Sequence, residues 1–309
     1  MYDKVPTAGM SRNEWLRLRK TGIGGSDAGA ICGLNPFSSP MSVYLDKVSE
    51  EIQDKDKEAM RQGRDLEEYV ASRFTEMTGK KVRRSNGMYR SREYPFMVAD
   101  VDRLIVGENA GLECKTASAY NADKWKDGEI PGHYLIQCCH YMAVTGKSAW
   151  YIAVVILGQD FKYARIDRDN EAIQNLIRIE EAFWNRHVVP KIMPPPDGSA
   201  ICDEVLEKYF RRGKKESAVP LIGFDEKLHR REELIALREK LEREQRQIEQ
   251  EIKLYMKENE IAYSEKYRVS WTSIDTARLD SRRIREEHPE LYQDFVKTIT
   301  SRRFTVRAA

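Results

Sequence analysis

The stretch VADVDRLIVGENAGLECKTAS, residues 98–118, decides the fold of this chain. We predict two strands, 96–106 and 109–117, because both runs are rich in apolar residues and a turn-forming segment separates them. That segment, VGENAG, contains two glycines, and a hairpin there sets the two strands side by side. The stretch therefore predicts an antiparallel pair of strands within a sheet.

Charged side chains of this hairpin are expected to converge. Alternate residues of a strand point to one face, so Glu113 and Lys115 share a face while Leu112 and Cys114 turn to the core. The hairpin brings Asp102 into the same cleft. Two carboxylates and a backbone carbonyl would make an oxygen-rich site that suits Mg²⁺ or Mn²⁺. Because 33% of the chain is charged, a solvated strand edge stays open as the alternative.

The sequence around the hairpin alternates between helical and strand-like patterns. We predict helices over 11–20, 57–78, 131–146, 169–187 and 201–211, and strands over 81–90, 148–157 and 160–167. The helix 57–78 has Leu66, Tyr69, Val70, Phe74 and Met77 at helical spacing, so we predict that these residues form its buried face. Strands flanked by helices indicate an α/β (α+β) core with a central mixed β-sheet.

A charged, turn-prone segment, RRGKKESAVP at 211–220, separates this core from the rest of the chain. We place the boundary between a first domain, 1–215, and a C-terminal appendage, 216–309. The appendage begins with a long helix, 225–258, whose narrow apolar stripe predicts packing against one partner element. A strand in YRVSWTSI, a helix capped near Asp280 and a final strand in RRFTVR complete it. Its arginines and aromatic residues fit either a phosphate-tracking surface or a small α+β cap.

Composition excludes several classes of protein. The sequence contains no run of about 18 apolar residues, so we predict no membrane span. The N-terminus lacks the apolar core of a signal peptide. Five scattered cysteines argue against a disulfide framework and favour the cytoplasm. The net charge of +2 does not indicate a polycation, so a nucleic-acid partner must be argued from local patches.

Two further motifs supply candidate site residues on helices. In GRDLEEYV, Glu67 lies at the border of an apolar face, where a metal ligand or its support would sit. Glu68 is its rival, and a surface glutamate is the alternative. In YLIQCCHYMAVTG, the i, i+3, i+7 spacing of Tyr134, Gln137 and Tyr141 predicts a polar-aromatic face. The adjacent Cys138, Cys139 and His140 have no CxxC partner, so we interpret them as packing residues.

The segment TGIGGSD, residues 21–27, is a glycine-rich turn that leads into a short helix. Ser26 or Asp27 is expected to cap that helix, and its free N–H groups attract an anion such as a phosphate. No Gly-Lys-Ser/Thr follows, and Asp27 stands at the third glycine position of a dinucleotide fingerprint. A purely structural capped turn is the alternative.

Five blocks in order resemble one known family: WLRLRKTGIGGSDAGAICGLNPF, GRDLEEYV, VADVDRLI, GLECKTAS and YLIQCCHYMAVTG. The chain resembles the YqaJ-like viral recombinases, the family of phage lambda exonuclease, within the PD-(D/E)xK nuclease superfamily. The resemblance covers residues 12–150 and extends by pattern to about residue 190. It implies a restriction-endonuclease-like core.

The resemblance also implies roles for individual residues. Asp102 and Glu113 would bind Mg²⁺ or Mn²⁺, two ions per site, with the Cys114 backbone carbonyl assisting, and Lys115 would activate water. Glu67 would complete the acidic metal-binding cluster, directly or through water, and Gln137 would support the site. Arg19 and Ser26 match family positions that contact phosphate, in the exonucleases the 5′ end of the DNA. One departure is the Pro-Asp-Gly often found in the family, which here is Val101-Asp102-Arg103. It makes Asp100 a competing ligand.

The implied activity is digestion of one strand of linear duplex DNA from its 5′ end, leaving a 3′ overhang. The implied partners are double-stranded DNA with free ends, a single-strand annealing protein and further copies of the chain in a ring. A bacterial cytoplasm, with a phage or prophage source, is the implied location. An endonuclease with the same site, or a catalytically silent DNA-binding module, stays open.

Overall fold

The computed structural model describes residues 1–52, 58–214, 217–297 and 302–306. Contacts between residues divide the chain into two compact units, 1–211 and 212–309. The predicted boundary between residues 215 and 216 falls outside the described residues and stays a prediction.

Unit 1 alternates between helices and strands. In chain order it contains β1 (Tyr2–Pro6), α1 (Arg12–Lys20), α2 (Gly25–Ile31), α3 (Pro40–Val48), α4 (Glu58–Thr78), β2 (Val82–Arg84), β3 (Gly87–Ser91), β4 (Val98–Asp100), β5 (Arg103–Ile105), β6 (Ala110–Ala117), α5 (Gly132–Thr145), β7 (Ala149–Ile156), β8 (Asp160–Asp167), α6 (Asn170–Phe183) and α7 (Ala200–Tyr209). A 3₁₀ segment spans Ala119–Gly128, and a π-helical turn, Trp184–Val188, extends α6.

A five-stranded mixed sheet in the order β2-β5-β6-β7-β8 forms the centre of unit 1. β6 and β7 run parallel, and the other neighbours are antiparallel. The sequence AWYIAVVI of β7 is buried almost throughout, as expected for a strand covered on both faces. The hairpin pairs Arg103 with Leu112 and Leu104 with Gly111. The predicted central mixed sheet and its hairpin are therefore confirmed.

Helices cover both faces of this sheet. On one face, Val70 and Phe74 of α4 pack with Leu112 of β6. On the other face, Cys138 and Met142 of α5 belong to the largest buried apolar cluster. Because α5 connects the parallel strands β6 and β7, it is the helical crossover that such a pair requires. β6 thus lies between two helices, and a side chain on either of its faces meets one of them.

A second, three-stranded sheet has the order β1-β3-β4. The predicted strand 81–90 is wrong as one element, since it breaks at Asn86, whose φ is 51°. The predicted strand 96–106 also breaks, at Val101–Asp102. In both cases the two halves pair with different sheets, because β1 offers a second pairing edge. The chain thus crosses between sheets twice, and Asp102 lies at the second crossing.

The buried face of α4 differs from the predicted one. Val70, Ala71 and Phe74 are buried, but Tyr69 and Met77 are more than half exposed. Residues 70, 71 and 74 lie on one side of the helix, and the two exposed residues both lie toward the same edge of that side. The predicted start of this helix, residue 57, lies outside the described part of the chain.

Unit 2 contains α8 (Asp225–Met256), β9 (Ile261–Tyr263), β10 (Arg268–Ser270), α9 (Ser281–Glu287) and α10 (Pro289–Phe295). Asp280 caps α9 as predicted. The stripe residues Leu234, Leu237, Leu241 and Ile248 of α8 are exposed. The YRVSWTSI strand is shorter than predicted. Residues 302–306 are not a strand, which corrects the prediction there, while residue 307 lies outside the described residues. An extended sequence forms a strand only where a neighbour takes its hydrogen bonds.

Candidate active site

The crossing at Val101–Asp102 ties one carboxylate to the edge of β6. The Cys114 backbone N–H donates to Asp102 Oδ2 over 2.7 Å. Asp102 therefore lies beside the strand that carries Glu113 and Lys115, as the predicted hairpin requires. Cys114, on the opposite face of β6, packs with the α4 cluster.

Glu113 and Lys115 do share one face of β6. Lys115 Nζ lies 2.6 Å from Glu113 Oε1, and the Lys115 ammonium lies 4.8 Å from the centre of the Tyr134 ring. Gln137 Nε2 donates to Glu113 Oε1 over 2.7 Å and to the Tyr141 hydroxyl over 2.8 Å. The α5 face formed by Tyr134, Gln137 and Tyr141 thus covers this pair.

One carboxylate oxygen of Glu113 lacks a hydrogen-bond partner in the part of the chain that the structure describes. Its side chain is 3% exposed, and its Oε2 has no hydrogen-bond partner among the described residues. A buried acceptor without a donor is unfavourable by about 1–3 kcal/mol. An atom of this kind is one that a bound cation would satisfy.

The electrostatics of the cluster show an excess of negative charge. Burial, followed by the charges of Glu113 and Glu67, raises the pKa of Asp102 well above its usual range. Burial also raises the pKa of Glu113, even though Lys115 opposes the shift. Burial disfavours the ammonium form of Lys115, but Glu113 and Tyr134 outweigh it and raise its pKa. Lys115 alone therefore does not balance the carboxylates.

The donor set fits a hard divalent cation with oxygen ligands. Asp102 and Glu113 offer carboxylate oxygens, which Mg²⁺ and Mn²⁺ prefer. Within the described ranges, no group of three or more His, Cys, Asp or Glu side chains forms a ready metal cluster. The fit therefore rests on a pair of carboxylates and the unsatisfied oxygen of Glu113.

Glu67 lies in the same neighbourhood but is engaged elsewhere. The buried Arg103 guanidinium forms an ion pair with Glu67 Oε1. It also contacts Glu68 Oε2 at 3.1 Å and donates to the Asp102 backbone carbonyl over 2.9 Å. Glu67 is less exposed than Glu68, at 30% against 62%, and its charge raises the pKa of Asp102. The sequence did not predict the contact between Arg103 and Glu67, although the departure at Val101-Asp102-Arg103 marked this position as unusual.

The glycine-rich segment lies against the α5 side of the site. A Cβ on Gly25 would lie 2.7 Å from the Tyr141 ring and 2.9 Å from Gln137 Cγ. A Cβ on Gly22 would lie 2.7 Å from the Phe96 carbonyl oxygen. These glycines permit close approach. Asp27, and not Ser26, contacts the N-cap residue of α2, because its Oδ2 accepts a hydrogen bond from the Gly24 N–H over 2.9 Å.

Ser26 and Arg19, the predicted phosphate ligands, contact each other. Arg19 Nη2 donates to Ser26 Oγ over 2.8 Å, and the Arg19 guanidinium lies 5.3 Å from the centre of the Trp15 ring. Trp15 Nε1 in turn donates to Asp100 Oδ2 over 2.9 Å. Asp100, the competing ligand, is therefore engaged by Trp15. Trp15 was not singled out in the sequence, because nothing in its pattern sets it apart from a core tryptophan.

Another buried ion pair joins the glycine-rich segment to α3. Lys47 Nζ is 2.7 Å from Asp27 Oδ2, and the Lys47 side chain is 1% exposed. Burial alone would raise the pKa of Asp27, but the charges of Lys47 and Arg19 outweigh it and lower that pKa. The sequence reasoning missed Lys47, since its partner lies twenty positions away.

The structure fits the interpretation of Cys138, Cys139 and His140 as packing residues. Cys138 is fully buried. His140 Nδ1 lies 2.8 Å from Glu180 Oε1, and His140 Nε2 lies 2.9 Å from the Val98 carbonyl oxygen. The imidazole thus joins α5 to α6 and β4. All five cysteines are free and lie within the described residues.

Known proteins match this chain in both sequence and fold. The family model of the YqaJ-like viral recombinase domain matches residues 14–148. The uncharacterized protein YqaJ of Bacillus subtilis (strain 168) is 37% identical over 302 residues, which cover 96% of this chain and 95% of that protein. This chain belongs to the YqaJ-like viral recombinase family. The predicted family is thereby confirmed.

Solved structures add the fold. An alkaline exonuclease, LHK-Exo, in complex with dAMP superposes with a TM-score of 0.51 and 20% identity, covering 64% of this chain and 97% of that chain. Another structure of LHK-Exo, from Laribacter hongkongensis, covers 58% of this chain and 94% of its own, with a TM-score of 0.49 and 20% identity. At this identity the superposition with a TM-score above 0.5 shows a shared fold. None of the described helices is long and apolar enough to cross a membrane.

Proposed function

We propose that this member of the family is a metal-dependent deoxyribonuclease that digests one strand of linear duplex DNA. The observation that carries the proposal is the buried carboxylate pair at Lys115, in which Glu113 Oε2 has no partner among the described residues. A site with more carboxylates than cations is suited to bind a divalent metal and then a phosphate.

Asp102 and Glu113 are the proposed metal ligands, with the Cys114 backbone carbonyl assisting. When bound, Mg²⁺ or Mn²⁺ polarises the phosphodiester and lowers the pKa of a water molecule. Gln137 holds Glu113 Oε1, so Oε2 of the same carboxylate is oriented for the ligand role. The Tyr141 hydroxyl accepts from the same Gln137 nitrogen, and this fixes the amide.

Lys115 is the proposed catalytic cation. Its ammonium lies against Glu113 and over the Tyr134 ring, which together restrain a flexible side chain. A positive group held beside the reacting phosphate stabilises negative charge in the transition state and can orient the attacking water. Because Glu113 raises its pKa, Lys115 stays protonated at neutral pH.

Arg19 and Ser26 are proposed to bind the 5′-terminal phosphate. A guanidinium and a hydroxyl that already bond each other present several donors at one point. Digestion from the 5′ end, a 3′ overhang, a single-strand annealing partner and a ring of several copies are parts of the same proposal. They are what the resemblance to the YqaJ-like viral recombinases implies.

The test is digestion of linear duplex labelled at the 5′ or the 3′ end, with Mg²⁺ or with EDTA. We expect Mg²⁺-dependent release of 5′-terminal nucleotides from linear DNA and no loss of a covalently closed circle. Glu113→Gln is the inactive control. Rapid loss of the closed circle would identify an endonuclease, and no degradation at all would favour a DNA-binding module.

A comparison of 5′-phosphoryl with 5′-hydroxyl ends tests the phosphate contacts separately. We expect the wild type to prefer the phosphoryl end and Arg19→Ala to lose that preference. Equal rates on both ends in the wild type would contradict the role of Arg19 and Ser26 and leave the metal site unaffected.

A further inference from the structure

Arg103 is a buried cation that the proposed chemistry does not use. It is 2% exposed and belongs to β5, which pairs with both β2 and β6. In an antiparallel pair, opposite residues share a face, and Arg103 is opposite Leu112. Its side chain therefore lies on the α4 side of the sheet, directly next to the crossing at Asp102.

The guanidinium has three acceptors there. Nη1 donates to Glu67 Oε1 and to the Asp102 backbone carbonyl, and Nη2 donates to Glu68 Oε2. A planar guanidinium that is held by three oxygens is fixed in direction as well as in charge. Moving it would leave a buried guanidinium and the Glu67 carboxylate without each other, which is strongly unfavourable, whereas Glu68 would keep its contact with Arg84.

These contacts determine what Glu67 can do. A carboxylate oxygen that accepts from a buried guanidinium is both neutralised and held toward it. The charge of Glu67 still contributes to the raised pKa of Asp102 and of Glu113. Its Oε1, however, is directed to Arg103. The carboxylates left for a cation are those of Asp102 and Glu113.

We propose that Arg103 is a positioning residue that withholds Glu67 from the metal site, so that Asp102 and Glu113 hold one divalent cation. The family resemblance implies two ions per site, and Arg103 stands where the family often has glycine. Arg103 thus supplies, as a fixed positive charge, part of what a second ion would contribute. This inference rests on the proposed metal-dependent function.

The test is the number of Mn²⁺ ions bound per chain, measured by calorimetric titration and by the electron paramagnetic resonance signal of free Mn²⁺. Both measurements need no catalytic turnover. We expect one tight ion in the wild type. In Arg103→Met, which removes the charge and keeps an apolar stem, we expect two ions, the first bound about tenfold more tightly, equivalent to about 1.4 kcal/mol.

Arg84→Met is the matched control. Arg84 is the β2 residue paired with Arg103 in register, and it contacts Glu68 at 2.7 Å. The variant removes the same charge from the neighbouring strand while leaving the contact between Arg103 and Glu67 in place. We expect its stoichiometry to stay at one ion.

Glu67→Gln tests the same idea without removing a buried arginine. If Arg103 withholds Glu67, this variant binds one ion with an affinity within about threefold of the wild type, equivalent to about 0.7 kcal/mol. A loss of affinity beyond about tenfold would identify Glu67 as a ligand and overturn the inference.

The remaining outcomes separate the two proposals. Two tight ions in the wild type, or one ion in both the wild type and Arg103→Met, would overturn the role of Arg103 and leave the proposed function intact. No tight Mn²⁺ binding in the wild type, with Glu113→Gln identical to it, would instead overturn the metal-dependent function on which the inference rests.

Discussion

Asp27 and Asp102 are both partly buried aspartates within unit 1, yet their pKa values are shifted in opposite directions. Each carboxylate accepts one backbone N–H, from Gly24 and from Cys114 respectively. Burial alone would raise the pKa of both aspartates. At Asp27 the charges of Lys47 and Arg19 outweigh burial, whereas at Asp102 the nearby Glu113 adds to it.

The difference separates a structural ion pair from a candidate binding site. Around Asp27, the buried ammonium of Lys47 balances the negative charge of the carboxylate, so this pair needs no further cation. Around Asp102, two carboxylates share Lys115, and one oxygen of Glu113 has no partner among the described residues. Burial with an unbalanced charge destabilises a fold and is therefore expected where a charged ligand restores the balance.

The largest expected effect is that of Lys115→Ala on catalysis. We expect Mg²⁺-dependent digestion of linear duplex to slow about 10³-fold, about 4 kcal/mol of transition-state stabilisation. The reason is that the variant removes the only lysine in contact with the carboxylate pair among the described residues. The measurement is the initial rate on end-labelled duplex at saturating Mg²⁺.

Lys80→Ala is the control for this prediction. Lys80 also forms an ion pair with a glutamate, Glu108, which lies in the loop before β6, but this pair is more exposed than that of Lys115 with Glu113. We expect a rate within about twofold of the wild type. A loss of less than tenfold in Lys115→Ala would show that the unbalanced cluster is not the catalytic one.

The next largest effect is that of Asp27→Asn on stability. Because Lys47 would remain buried with only the exposed carboxylate of Asp46, 3.5 Å away, we expect the free energy of unfolding to fall by about 3 kcal/mol at pH 7. Urea unfolding followed by tryptophan fluorescence measures it, since four of the five tryptophans lie in unit 1. Asp167→Asn, which breaks the exposed pair with Arg165, is the control, and we expect no measurable loss of stability in it.

The pH dependence of this loss has a defined sign. The pKa of Asp27 is lowered from its usual value near 3.8, so its stabilisation is fully present above that value. It disappears as pH falls from there through the folded pKa. The difference in unfolding free energy between Asp27→Asn and the wild type should therefore shrink below pH 3.8, and a difference that stays constant down to pH 2 would contradict the ion pair.

Local patterns predicted the parts of the fold that depend on neighbouring residues. The alternation in GLECKTAS and the glycine turn before it predicted the hairpin and the shared face of Glu113 and Lys115, which the structure confirms. The breaks at Asn86 and at Val101–Asp102 were missed. They depend on β1, whose pairing with β3 is a contact between residues more than eighty positions apart.

The same limit applies to the site. The spacing of Tyr134, Gln137 and Tyr141 predicted a face of α5 that the structure places over Glu113. The pairing of Arg103 with Glu67, which are 36 positions apart, has no local pattern. In a chain that contains 52 basic and 50 acidic residues, the partner of a given carboxylate is decided by packing and not by sequence spacing.

The smallest expected effect, and the sharpest test of the comparison, is a gain of stability in Asp102→Asn. The pKa of Asp102 is raised, so its ionised form is disfavoured in the folded chain. That destabilisation is absent below about pH 3.8 and grows as pH rises through the folded pKa. Asparagine removes the charge but weakens the bond from the Cys114 N–H, so we expect a net gain of about 1 kcal/mol at pH 7.5 without divalent cations.

This gain should reverse when the metal is present. A ligand that binds only the folded chain stabilises it in proportion to the logarithm of its concentration over Kd. Mn²⁺ should therefore raise the unfolding free energy of the wild type and leave Asp102→Asn nearly unchanged, while both Asp27→Asn and the wild type respond equally. A loss of stability in Asp102→Asn at pH 7.5, comparable to that in Asp27→Asn, would mean that the two aspartates are both structural and that the contrast between them carries no information on function.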